Sequence, residues 1–119
     1  MNLKEIMQES KFVVLGNTID ESKYAAKIYL ELKANNYEVY GVDKEYASLN
    51  SVPCDDFILD LCMNPLKAIK LLEENTKNIK AVLIQPGAES DAIKKLLEDK
   101  NIEYIEGCAL VGLRLYPRG

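Results

Sequence analysis

The stretch FVVLGNTIDESKYAAKIYLEL, residues 12–32, decides the fold. Its first five residues, FVVLG, form an apolar run closed by a glycine, the pattern of a short strand buried on both faces. Residues 22–35 then read as a helix: Ala25, Ile28, Tyr29 and Leu32 fall on one face, and Asn35-Asn36 is a plausible stop. Between strand and helix, Gly16 leaves the backbone free to turn. Asn17 and Thr18 offer amides and side-chain hydrogen bonds, and the start of a helix favours an anion. Lys23 could add a charge. Against a phosphate seat, a dinucleotide fingerprint needs glycines where Thr18 and Glu21 stand, and Asp20 and Glu21 bring negative charge. The loop reads equally as a phosphate seat and as a plain connecting turn.

Downstream, the same alternation repeats. YEVYGV (37–42) is strand-like, 43–56 is loop-like, and FILDLC (57–62) is a third strand. Asn64-Pro65 reads as a helix cap followed by proline at the first helical position. That helix runs to about Thr76 and turns Ala68, Ile69 and Leu72 inward. KAVLIQ (80–85) is a fourth strand and PGAES a loop. Ser90 could cap a helix that buries Ile93, Leu96 and Leu97, and IEYIEG (102–107) is a short fifth strand. Residues 1–10 suit a short flanking helix. The tail CALVGLRLY is apolar but ambiguous: Leu110, Val111, Leu113, Leu115 and Tyr116 could be core or the interface of a homodimer.

Strands alternating with helices imply an α/β fold, a three-layer Rossmann-like open parallel sheet of about five strands with helices on both faces. The expected strand order is 3-2-1-4-5, with the reversal between strands one and four. Ligands in such sheets sit outside the carboxyl ends of the strands, at the reversal. Four segments should therefore converge there: Gly16 to Lys23, Val42 to Lys44, Cys62 to Pro65, and Gln85 to Glu89.

Composition narrows the chemistry. The chain has 119 residues, the size of one domain, and a formal net charge of -4. An acidic balance argues against broad nucleic-acid binding, and no apolar run approaches membrane-spanning length. The start lacks a secretory pattern, so the expected compartment is the cytoplasm. With no histidine and only three cysteines, neither a zinc site nor a disulfide framework is expected, and the commonest general acid/base is missing. No catalytic set is recognisable. Asp43 reads either as a ribose-binding acid or as a solvated turn carboxylate. Cys62, Cys108 and Cys54 suit small buried hydrophobes better than nucleophiles, and Met63 suits core. Gln85-Pro86-Gly87 places an amide before a rigid turn, where a ligand could meet it.

Taken together, VVLGNT, SKYAAKIYLELKANNYEVYGVDKEY, DLCMNP, IQPGAES and EGCALVGL resemble the small stand-alone CoA-binding domain proteins. These are single-domain relatives of the nucleotide-binding part of succinyl-CoA synthetase alpha subunits. The likeness covers about residues 10–115. It implies non-covalent binding of coenzyme A without an assigned reaction. By position, Gly16, Asn17 and Thr18 match the phosphate loop, with Lys23 and Tyr24 at the start of its helix. Asn64 and Pro65 match the loop after the third strand, beside Met63. Gln85, Pro86 and Gly87 match the loop after the fourth strand, and Cys108 matches a late cysteine. The first loop would hold the diphosphate, and the later loops would line the pantetheine path.

Two positions depart from the family pattern. Asn17 replaces a small apolar residue, and Asp43-Lys44, after Val42, replaces Asn-Pro. A carboxylate there would repel the 3′-phosphate of CoA but could bind the free ribose hydroxyls of NAD, the nearest alternative ligand. Lys44 could offset it.

Overall fold

The computed structural model describes residues 1–117. Its elements run α1 (Leu3–Gln8), β1 (Lys11–Gly16), α2 (Tyr24–Ala34), β2 (Glu38–Asp43), a 3-10 turn (Leu49–Ser51) and β3 (Phe57–Leu61). They continue with α3 (Pro65–Glu74), β4 (Ile79–Ile84), α4 (Asp91–Asp99), β5 (Tyr104–Glu106) and α5 (Ala109–Leu115). All strand pairings within the sheet are parallel.

Alternate strand residues feed two cores, as the two-residue period of a strand requires. Val13 and Leu15 of β1 join Leu59, Leu61, Val82 and Ile84 beneath α3 and α4. Phe12 and Val14 join Ile58, Ala81 and Leu83 beneath α1, α2 and α5. Three helices begin at side-chain caps in which a side-chain oxygen accepts a backbone N–H: Asn2, Asn64 and Ser90. The flanking segment does form a helix, and the tail becomes α5, whose buried Gly112 lies against Met7 of α1.

The strand order is β2-β1-β3-β4-β5, which corrects the expected 3-2-1-4-5. Burial explains the difference. Every residue of β3 is buried, so β3 needs a neighbour on each side and takes an interior place. β2 begins with exposed Glu38 and is only partly covered, which suits an edge. Residues 44–56 therefore cross from β2 past β1 to β3, anchored by Leu49 and Val52 in the α3 and α4 core. The reversal accordingly falls between β1 and β3 rather than between strands one and four. The loops after β1 and β3, which lead to helices on opposite faces, open a crevice at the carboxyl edge.

Candidate functional site

A cavity of about 510 Å³ opens at this edge. The loop after β3 supplies Cys62, Met63, Asn64 and Pro65. The loop after β4 supplies Gln85, Pro86, Gly87 and Ala88, while Tyr24 and Cys108 close it from α2 and the start of α5. Met63, expected both to suit core and to stand in the loop facing the ligand, lines the cavity and also packs against the α3 and α4 core. Cys62 and Ala88, inside the two converging loops though not named individually as ligand contacts, complete the wall. Gly16, Asn17, Thr18, Lys23, Val42, Asp43 and Lys44 lie outside this wall, on the β1 and β2 side of the edge.

The first loop differs in detail from its reading. Gly16 is needed for close approach rather than for a special turn: a Cβ there would stand 2.8 Å from Ala25 Cβ and 3.0 Å from the Cys62 carbonyl. Asn17 stabilises the loop from within, its Oδ1 accepting from the amides of Ile19 at 3.1 Å and Asp20 at 3.0 Å. Asp20 accepts from the amide and hydroxyl of Ser22, which holds its carboxyl below the usual range. This local turn delays the helix from residue 22 to Tyr24. Thr18 is buried against Gly41, and its Oγ1 has no partner. Lys23 is the residue preceding α2, and its side chain makes no cap. α2 has no side-chain cap and no acid in its first turn; Tyr24 at its start is exposed on the cavity wall, while Ala25 and Ala26 behind it are buried.

Gln85 is nearly buried, and both ends of its amide are engaged. Oε1 accepts from the Ala109 amide at 2.9 Å, and Nε2 donates to Cys108 Sγ at 3.4 Å. A ligand therefore meets an amide already tied to the start of α5. The following turn has the type II pattern: Pro86 second, Gly87 third at φ +93°, and the Ala88 amide donating to the Gln85 carbonyl at 2.9 Å. Asn64 caps α3 through the Leu66 amide at 2.9 Å.

Beneath the cavity lies a group that was not picked out from the sequence. Asp60 is fully buried on β3, and burial pushes its carboxyl up to about 7. Its Oδ2 accepts from the Cys62 thiol at 3.0 Å, while Oδ1 has no partner. Burial, followed by the adjacent carboxyl, pushes the Cys62 thiol well up. The one available signal was an acid in the middle of FILDLC, a strand otherwise apolar.

At the far side, Val42 is buried and Asp43 holds a positive φ of +124°. The Asp43 carboxylate pairs with Lys67 of α3 at 2.6 Å, so the offset expected from its neighbour Lys44 comes instead from a helix. Lys44 is exposed.

A family model described as a CoA binding domain matches residues 10–114. The chain belongs to the CoA-binding domain family. No curated protein matches it significantly. Among solved structures it is similar to a Thermus thermophilus protein at 23% identity and a TM-score of 0.85, covering 98% of this chain and 99% of that one. A conserved hypothetical protein from Pyrococcus furiosus matches at 26% identity and a TM-score of 0.77, covering 87% and 98%. A hypothetical protein from Pyrococcus horikoshii OT3 matches at 16%, with a TM-score of 0.82 and coverage of 98% and 92%. Among the described residues no helix is long and apolar enough to cross a membrane, and no cluster of acidic or cysteine side chains suits a metal ion.

Proposed function

We propose that this CoA-binding domain holds coenzyme A or an acyl-CoA non-covalently across the carboxyl edge of its sheet, without chemistry of its own. The diphosphate rests on the amides that open α2, and the pantetheine arm follows the cavity between the loops after β3 and β4. The observation that carries the reading is the start of α2. It has no side-chain cap and no acid in its first turn, and its Tyr24 lines the cavity, whereas α1, α3 and α4 begin at side-chain caps. Unpaired amides at a helix start favour an anion. The cavity size lies within the usual range for small-molecule sites.

Binding without catalysis accords with the thiols. Cys62 is held protonated by burial beside Asp60, and Cys108 Sγ accepts from the Gln85 amide rather than meeting a base. NAD remains the alternative ligand, but the carboxylate that favoured it, Asp43, is already paired with Lys67. Titration calorimetry with CoA, dephospho-CoA and NAD separates these readings. CoA should bind most tightly. Absence of heat with all three at millimolar concentration rejects the proposal, and preference for NAD replaces its ligand.

A further inference from the structure

Asp43 and Lys67 each sit where local physics disfavours them. Asp43 is a non-glycine residue at φ +124°, a strained backbone conformation that persists only where the surroundings enforce it. Here its amide donates to the Tyr46 carbonyl at 2.8 Å, and the Tyr46 amide donates to the Gly41 carbonyl at 3.0 Å. Lys67 is in the first turn of α3, where the helix dipole opposes a cation. The two departures meet in a single ion pair of 2.6 Å. Local rules broken together at one place are expected at functional or strained sites.

The position of the pair gives it a use. In the sheet register Asp43 stands opposite Gly16, beside the loop that leads to α2. α3, which carries Lys67, begins with Asn64 and Pro65 at the cavity wall. From β4, where Gln85 closes the cavity, to β2 is three strand spacings, roughly 14 Å at about 4.8 Å each. An extended ligand with its thiol end in the cavity and its diphosphate at α2 would carry its adenosine ribose towards Asp43. The carboxylate is mostly covered, whereas the Lys67 side chain is 55% exposed. An ammonium has three donors, so the bond to Asp43 leaves two for another group.

Resting on the CoA reading, we propose that Lys67, tethered by Asp43, is the specificity residue for a phosphomonoester on the ligand's ribose. Asp43 then acts as a positioning residue: it fixes the ammonium and has its own charge neutralised, which removes the repulsion expected from the sequence. The discrimination is between a ribose bearing a 3′-phosphate and one bearing a free hydroxyl.

The test is calorimetry with CoA and dephospho-CoA on the wild type, Lys67→Met and Lys70→Met. Lys70→Met removes the same charge from an exposed position on the same helix. The wild type should prefer CoA by about tenfold, the scale of one charge-assisted hydrogen bond. Lys67→Met should bring the ratio close to one, and Lys70→Met should preserve it. Equal affinity of the wild type for both ligands, or a preference for dephospho-CoA, overturns this inference while leaving the CoA-site reading intact. An unchanged ratio in Lys67→Met, or an equal fall in Lys70→Met, overturns it as well. If the wild type binds neither ligand, both readings fail together.

Discussion

Replacing Asp60 with Asn should make the protein less sensitive to pH. The Asp60 carboxyl is fully buried, one oxygen has no partner, and its pKa rises from 3.8 to about 7. The folded state therefore retains a proton that the unfolded chain releases at lower pH. For an acid shifted upward, the sign is unfavourable: stability is intact below about 4, declines as pH rises, and levels off above about 7. At 1.36 kcal/mol per pKa unit, the full loss is about 4 kcal/mol. An amide of the same shape does not titrate, although its own unpaired atoms cost about 1–3 kcal/mol. Urea unfolding of both proteins at pH 4.5 and pH 8 provides the assay. Wild-type stability relative to Asp60→Asn should fall by several kcal/mol, about 3–4, between the two. The carboxyls of Asp20, Asp55 and Glu89, held below their ordinary values, are common to both proteins and cancel in the difference. Parallel pH profiles would refute the assignment of Asp60 as a buried acid that ionises at a cost.

Gly16→Val should destabilise the fold by about 1–3 kcal/mol, the usual range for overpacking, because Ala25 and the Cys62 carbonyl leave no room for side-chain atoms; unfolding in urea measures it, and an unchanged midpoint contradicts the close approach. Under iodoacetamide at pH 8, Cys62 should be alkylated more slowly than Cys108, since burial and Asp60 hold its thiol protonated; peptide mass mapping decides, and faster labelling of Cys62 is the contrary result. Lys23→Ala should weaken CoA by about 1 kcal/mol if the ammonium reaches the diphosphate; equal affinity by calorimetry removes Lys23 from the site and leaves α2's amides to act without it.

Much of the fold was legible because its signals are local. FVVLG announces a buried strand, Asn64-Pro65 and Ser90 announce helix starts, and all three are found. Strand order was not legible. FVVLG and FILDLC carry the same apolar signature, and which of two buried strands lies beside β4 depends on contacts distant in sequence. Glu38 and the polar residues of β2 were the clue that β2 takes the edge. The tail was ambiguous for a similar reason: the packing of Gly112 in α5 is set by Met7, far earlier in the chain.

At the edge of the sheet, the residues after β3 and β4 gather around one cavity, two of the four loops that the fold was expected to bring together there. The loop after β1 was harder to read. Asn17 looked like a donor to ligand, but its side chain satisfies two amides of its own loop. Lys67 carried no signal at all: a lysine in a helix resembles any solvated lysine until β2 delivers Asp43 to it.

The central claim is that the first turn of α2 receives a nucleotide diphosphate. Amide NMR of the ¹⁵N-labelled protein during CoA titration tests it most directly. The largest shifts should fall on Tyr24, Ala25 and Ala26, with a second group at Gly87 and Cys108. Saturable binding that leaves those three amides unmoved would contradict the account.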